Sequence, residues 1–275
     1  MPVLEPLVDK KNAPKVLMLG WEFPPVINGG LGVACHDLCI ALAKHANVTM
    51  IIPKSNPDFV VKNLDLIGLN TIDAKTLRNI GHADSYKKIK NVHFILSDLN
   101  PYYNQPNGYG SHALESQFIK KVEIGNETFD IFHIDDLYGG DVIEKVTVFG
   151  KVAAKLAHSL DFDIIHAHDW MTMIAGMEIK AQTGKPLVVH IHSLEIDRGG
   201  AHSKGWVYQI EKKGMEMADV QIKLAKGFGV DDVAMQADDN LRGGERYAQM
   251  LRHQCVDRGE FVHAALSQID AFTIT

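Results

Sequence analysis

Cysteine is scarce in this chain, with only Cys35, Cys39 and Cys255 among 275 residues. Three thiols at such spacing build no disulfide framework. Cys35 and Cys39 fall on one helix face, where thiols pack as small apolar groups, and no further ligands at zinc-finger spacing accompany them. A reducing cytoplasm is the expected compartment. Long apolar runs are missing too: no N-terminal stretch has signal-peptide length, and no segment approaches a membrane span. Basic residues are outnumbered, 28 Lys and Arg against 34 Asp and Glu, for a formal net charge of −6. That balance argues against a nucleic-acid binder, which presents a basic face. No internal repeat or low-complexity segment stands out. What is present, 46% hydrophobic and 23% charged residues, suits an ordinary globular protein with a sizeable core.

Residues 15–32 carry the most information. Lys15-Val16-Leu17-Met18-Leu19-Gly20 is an apolar strand, and Trp21-Glu22-Phe23-Pro24-Pro25 stops it because proline cannot continue a ladder. After Gly29-Gly30-Leu31-Gly32, the residues Leu31, Ala34, Cys35, Leu38, Cys39 and Leu42 recur at helical intervals and form one apolar stripe. Strand, glycine turn and helix N-terminus together present backbone N–H groups suited to phosphate or sugar oxygens. The turn is neither a full dinucleotide fingerprint nor a P-loop, since no Gly-Lys-Ser/Thr follows. A tight turn needing glycine's backbone freedom explains the same residues without any ligand.

Asn47–Ile52 reads as a second strand stopped by Pro53, residues 61–80 are mixed, and Val92–Leu96 reads as a third strand. Asn100–Ser111 is a loop rich in Tyr, Asn, Pro and Gly. Phe118–Ile124 and Thr128–Ile134 flank Gly125-Asn126, a hairpin signal. Asp141 is placed to cap a helix running to about Ser159. Then Phe162–His168 is a strand, Trp170–Gln182 a helix ended by Gly184, Leu187–His192 a strand, Gly205–Ala218 a helix and Val220–Leu224 a strand. Strands alternating with helices mean βαβ units and a parallel sheet covered on both faces. Ligands of such sheets bind beyond the carboxyl ends of the strands. Gly29-Gly30, His166–Asp169 and His190–Glu195 all fall at that edge. The remainder, residues 226–275, changes character and carries two amphipathic helical patterns, Gly244–Cys255 and Glu260–Ile269.

In a strand, residues two apart point to one face, so His166 and His168 converge, and His190 and His192 repeat the spacing one unit later. Three readings fit. Paired His-x-His strand ends hold a transition metal such as zinc; His and Asp grip sugar hydroxyls; or each imidazole is satisfied by local backbone groups.

Trp21-Glu22-Phe23-Pro24-Pro25, Gly29-Gly30-Leu31-Gly32, Ile165-His166-Ala167-His168-Asp169-Trp170, Val189-His190-Ile191-His192-Ser193-Leu194-Glu195 and Ile210–Asp219 stand in one order. In that order they resemble the N-terminal domain of bacterial glycogen and starch synthases, within the retaining glycosyltransferases of two Rossmann domains (GT-B). The likeness spans roughly residues 15–225. It implies an α/β, doubly wound parallel sheet, and retaining transfer of a sugar from a nucleotide sugar such as ADP-glucose or UDP-glucose onto a glycan or other acceptor. By motif position Gly29, Gly30 and Gly32 would face the donor phosphates, and His168 would sit by the donor sugar with Asp169 supporting it. His192 would join the donor-binding set. No metal and no cofactor are implied. Donors aimed at a departing diphosphate stabilise the charge that develops there.

Two departures qualify the likeness. Glycogen and starch synthases carry Lys two residues before the first glycine, where this chain has Ile27. They also carry two glutamates eight residues apart in a second, nucleotide-binding domain, whereas after Val220 this chain has only Glu245 and Glu260. The expected organisation is therefore an exposed leader (1–14), a GT-B-like N-terminal domain (15–225) and a helical C-terminal extension (226–275). Such a chain is the acceptor-side half of a glycosyltransferase, weak or inactive alone and completed by a separate donor-binding domain. The alternatives are a metal-dependent hydrolase using the His-x-His strand ends, and a non-catalytic carbohydrate-binding or scaffold domain.

Overall fold

A computed structural model describes residues 13–73 and 118–223, apart from Gly125, Asp135, Gly140, Asp141 and Ala201. In chain order it runs β1 (Lys15–Leu19), α1 (Gly30–Leu42), β2 (Asn47–Ile52), β3 (Leu64–Gly68), β4 (Ile119–Ile124) and β5 (Glu127–Phe132). There follow α2 (Val142–Ala157), β6 (Ile164–His168), α3 (Trp170–Thr183), β7 (Leu187–Ile191), the short α4 (Glu195–Gly199), α5 (Trp206–Met217) and β8 (Val220–Lys223). Six strands form one sheet in the order β3-β2-β1-β6-β7-β8, and every neighbouring pair is parallel. The direction of winding reverses between β1 and β6, which is where open α/β sheets leave a crevice.

The sheet is covered on both faces because its strands are apolar at successive positions rather than alternate ones. Val16 and Met18 point to one face and pack with Cys35, Leu38, Cys39 and Leu42 of α1. Leu17 and Leu19 point to the other and join Val146, Phe149 and Val152 of α2 and Met173, Ile174 and Met177 of α3. Fully buried side chains of this kind contribute about 1.5–3 kcal/mol each. Helix α3 lies close to the sheet because it is small where it touches: a Cβ on Gly176 would stand 2.8 Å from Leu187 Cδ1 and 3.1 Å from Ala167 Cβ. Gly184 ends α3 as expected, at φ 69°, with its N–H bonded to the Lys180 carbonyl at 2.8 Å. Asp219 fastens the far end of the sheet. Its carboxylate accepts the Leu187 N–H at 2.7 Å and Lys180 Nζ at 2.5 Å, tying β7, α3 and β8 together.

The parallel, doubly wound architecture expected from the sequence is present, and the flanks of the Gly125-Asn126 turn pair antiparallel as β4 and β5. Residues 61–80, read from sequence as mixed, contain the edge strand β3, paired with β2 from Val48↔Leu64 to Ile52↔Gly68. Helix α4 within the 195–199 segment was likewise not expected. Ala13, placed in the leader, is 6% exposed, and the Pro14 carbonyl accepts the Asn47 N–H at 2.9 Å. The expected strand Val92–Leu96, the loop Asn100–Ser111, the cap Asp141, most of the leader and the extension 226–275 with its two helices lie outside the described residues. Among the described residues no helix is long and apolar enough to cross a membrane.

Gly150 sets the crossing of α2 over α3: an added Cβ would meet Ile174 Cγ2 at 2.9 Å and the Ala175 backbone nitrogen at 3.3 Å. Gly150→Val is therefore expected to lower stability by about 1–3 kcal/mol through overpacking. Gly29→Ala, at an extended residue with nothing within 4 Å of its Cβ position, should leave stability unchanged. Urea denaturation of both variants checks the pair, and equal effects would contradict the packing described.

Candidate functional site

Three chain segments meet at the carboxyl edge of β1, β6 and β7. The first is the turn after β1. Trp21 is fully buried, and its Nε1 donates to the Leu137 carbonyl at 3.2 Å. Phe23 and Val26 exchange backbone hydrogen bonds at 3.2 and 2.9 Å, which folds the Pro24-Pro25 segment back on itself. Glu22 is only 2% exposed. Its carboxylate accepts the backbone N–H groups of Asn28 at 3.1 Å and Gly29 at 3.2 Å, and the hydroxyl of Tyr138 donates to its other oxygen. Lys145 Nζ in turn holds the Tyr138 carbonyl at 2.9 Å. Burial, with the Glu22 carboxylate beside it, pushes the Tyr138 phenol upward, so it remains a donor.

Helix α1 begins at Gly30 with extended Gly29 before it and no side-chain cap, leaving its first N–H groups without a side-chain acceptor. Gly29 and Gly30 are exposed and open around their Cα atoms, while Gly32 is buried under Ile27, whose Cγ2 would lie 2.4 Å from an added Cβ. Of the three glycines named from sequence, two front the edge and the third packs behind it. The Ile27 side chain covers Gly32.

The second segment is the end of β6 and the third the end of β7. Register pairs His168 with His190, so the two His-x-His runs lie side by side on the α1 face of the sheet. The rings form a stack: His166–His168 and His190–His192 at 4.5 Å with 8° between planes, and His168–His190 at 4.9 Å. His168 Nδ1 and His192 Nε2 share a hydrogen bond at 3.1 Å. Burial, and then the neighbouring imidazoles, drives His166, His168 and His190 well below the ordinary histidine range, and burial takes His192 down to about 4. All four are uncharged at neutral pH. His168 Nε2 and both ring nitrogens of His190 are buried without a protein partner.

Two sets, Cys35/His168/His192 and His166/His168/His190, bring possible ligand atoms within 4.8 Å of one another. Within each His-x-His pair the rings are nearly parallel, so their in-plane lone pairs run side by side. A set of stacked, neutral, partly unpaired imidazoles is better suited to hydroxyl groups, since each neutral ring offers one donor and one acceptor.

Asp169 follows β6 at φ 61°, a left-handed conformation that costs a non-glycine residue about 1–3 kcal/mol and is enforced by its surroundings. Its N–H donates to the His190 carbonyl at 2.8 Å, and its carbonyl accepts the Thr172 N–H at 3.1 Å. In its carboxyl, Oδ1 is buried without a hydrogen-bond partner. Burial raises this carboxyl to about 6 against the pull of Arg198. His168, Asp169 and His192, named from sequence, are thus brought together; Gly29 and Gly30 stand at the neighbouring strand end. Sequence reasoning missed the parts played by Glu22, Tyr138, Arg198 and Glu211. One signal was available: Glu211 interrupts the stripe Val207, Ile210, Gly214 of α5 with a charge on a face that packs inward.

A profile of the starch synthase catalytic domain matches residues 15–231. An uncharacterized glycosyltransferase of Methanocaldococcus jannaschii is 24% identical over 193 residues, covering 69% of this chain and 34% of that protein. A glycogen synthase of Mycobacterium tuberculosis is 24% identical over 193 residues, 70% of this chain and 36% of that one. The chain spans about a third of the length of these curated relatives. Among solved structures, sucrose-phosphate synthase of Thermosynechococcus elongatus gives a TM-score of 0.43 at 15% identity, over 76% of this chain and 42% of that one. The catalytic domain of starch synthase IV from Arabidopsis thaliana, bound to ADP and acarbose, gives 0.42 at 13%, over 95% and 50%. None of these relatives supports the metal-dependent hydrolase or the scaffold domain.

Tyr138→Phe leaves the buried Glu22 carboxylate short of a donor and is expected to lower stability by about 1–3 kcal/mol in urea denaturation; an unchanged midpoint would contradict the clasp. A second expectation concerns pH. Histidines held below their ordinary range bind protons in the unfolded chain before the folded one, so stability is full above pH 6.5 and falls on acidification. Each such histidine contributes a slope of up to about 1.4 kcal/mol per pH unit. Asp169, shifted the other way, favours the folded state as pH drops from 6 toward 4 and offsets one histidine. The net expectation is a fall in the urea midpoint between pH 7 and pH 5. His192→Asn should flatten that fall by about one proton, and an unaltered slope would show that His192 titrates normally.

Proposed function

Since the chain belongs to the starch synthase catalytic domain family, we propose that its described domain supplies the acceptor side of a retaining glycosyltransferase that uses a nucleotide sugar. The observation that carries this reading is the meeting, at the switch point of the sheet, of an uncapped helix N-terminus at Gly29-Gly30 with neutral His168 and the unpaired Asp169 oxygen. Backbone N–H groups and a positive helix end favour a diphosphate. A neutral imidazole and a carboxylate oxygen favour the hydroxyls of a sugar. One imidazole donates and the other accepts in the His168–His192 bond, which fixes whether His168 Nε2 donates or accepts toward a ligand.

In this proposal His168 orients the transferred sugar, Asp169 supports it through a hydroxyl, and Gly29 and Gly30 approach the donor phosphates. Gly32 keeps the turn close to Glu22 and Ile27. The donor is ADP-glucose or UDP-glucose and the acceptor a glycan, with the nucleotide gripped chiefly by a second domain, carried on the same polypeptide or on a partner. Holding both substrates together is what makes transfer fast, so the 275-residue chain by itself is expected to bind sugar without turning it over. Buried free Cys35 and Cys39 suit a cytoplasmic setting.

Calorimetric titration with maltooligosaccharides and with each nucleotide sugar, alongside a transfer assay on glycogen, tests the proposal. Binding that weakens at least tenfold in His168→Ala, with no transfer by the chain alone, is the expected result. Unchanged binding in that variant would overturn the site assignment, and robust transfer by the chain alone would overturn the division of labour.

A further inference from the structure

Ser193 lies between Arg198 and Asp169. Its carbonyl accepts Arg198 Nη1 at 2.6 Å, and its N–H is among the groups that draw the Asp169 carboxyl down. The other arm of the guanidinium, Nη2, donates to Glu211 Oε1 at 3.0 Å and to Glu195 Oε2 at 3.2 Å. Glu211 comes from α5 and is 2% exposed; both its oxygens accept the Glu195 N–H, at 3.0 and 2.8 Å. Ser203 Oγ closes the cluster on Glu195 at 3.1 Å. A planar guanidinium bridges a carbonyl and a carboxylate in fixed geometry, which an ammonium cannot do. His192 immediately precedes Ser193, so the backbone that Arg198 anchors carries the imidazole bonded to His168. These contacts tie Glu195, Arg198 and Glu211 together and reach Ser193 through the guanidinium.

We propose that Arg198 is a positioning residue of the sugar site: anchored on buried Glu211, it holds the Ser193 carbonyl and so fixes the His192 imidazole beside Asp169, both of which face a bound sugar. The role rests on the assignment of this edge to sugar binding, but its test needs no ligand. Around Asp169 stand Arg198 of α4, Glu211 of α5, and the neutral imidazoles of His168, His190 and His192. Cys35 of α1 and Tyr138, both protonated, feel the charges of Asp169 and Glu22 together. Arg198 pulls the Asp169 carboxyl down and Glu211 pushes it up. The clamp therefore has an electrostatic signature that a merely structural contact lacks.

The experiment is a carbon-13 carboxyl NMR titration of the 275-residue chain, with the Asp169 resonance assigned by its loss in Asp169→Asn. Arg198→Met is expected to raise the Asp169 midpoint by about half a unit or more, and Glu211→Gln to lower it. Arg198→Lys keeps the charge without the fork, so it should restore only part of the shift and leave the His192 ring resonances displaced. Shifts of the same sign in Arg198→Met and Glu211→Gln, or full restoration by Arg198→Lys, would overturn the proposal. Should Arg198→Met fail to fold, the milder pair Arg198→Lys and Glu211→Gln carries the same comparison of opposite signs. Failure of the wild-type chain to bind maltooligosaccharide would remove the sugar assignment and leave the titration unaltered, so the two failures are distinguishable.

Discussion

Uncharged imidazoles packed face to face govern the carboxyl edge of this sheet. Four rings at 4.5–5.5 Å occupy space that an apolar core would otherwise fill. They remain there only while neutral, because charging any one would bury a cation beside three like groups. Their neutrality leaves donors and acceptors without a net field, and Asp169 beside them supplies a buried carboxylate oxygen left without a protein partner. A polar wall of this kind binds hydroxyls by geometry rather than by charge. Charge enters from the other side of the crevice, through the N-terminus of α1.

The two sides are built by different means. The turn at Gly29 is shaped from beneath by the buried Glu22 carboxylate, which satisfies two backbone N–H groups and so leaves the following helix end to face outward. The histidine side is shaped by strand register, with His168 level with His190, and by the clasp of Ser193, Arg198 and Glu211 beyond β7. Both supports use a buried glutamate to order backbone amides. Each glutamate lies behind the edge, so substitutions there alter the site without touching a ligand.

The fold could be read from the sequence where strands are apolar throughout and bounded by glycine or proline. Asn47–Ile52 has the same limits in the structure as in the sequence pattern, and β1, β6 and β7 differ only by a residue or two at their ends. The edge strand β3 escaped because Leu64-Asp65-Leu66-Ile67-Gly68 is buried only at its ends, and an edge needs little apolar surface. The site could be read in part for the same reason. Period two places His166 with His168 and His190 with His192, and the glycine turn marks a helix start. The clasps could not be read, because Tyr138 lies 116 residues from Glu22 and Glu211 lies 13 from Arg198. Those pairings depend on how loops and helices pack after the strands, which no local pattern shows. Ile27, a visible departure from the synthase pattern, packs over Gly32 while remaining exposed itself.

The central claim is that the edge between β1 and β6 receives a sugar on neutral imidazoles. Nitrogen-15 NMR of the histidine rings at pH 7, with and without a maltooligosaccharide, addresses it directly. Four rings with the shifts of neutral tautomers, and ligand-induced changes concentrated on His168 and His192, are the predicted result. Protonated rings at pH 7, or changes confined to residues of α2 and α3 on the opposite face, would contradict it.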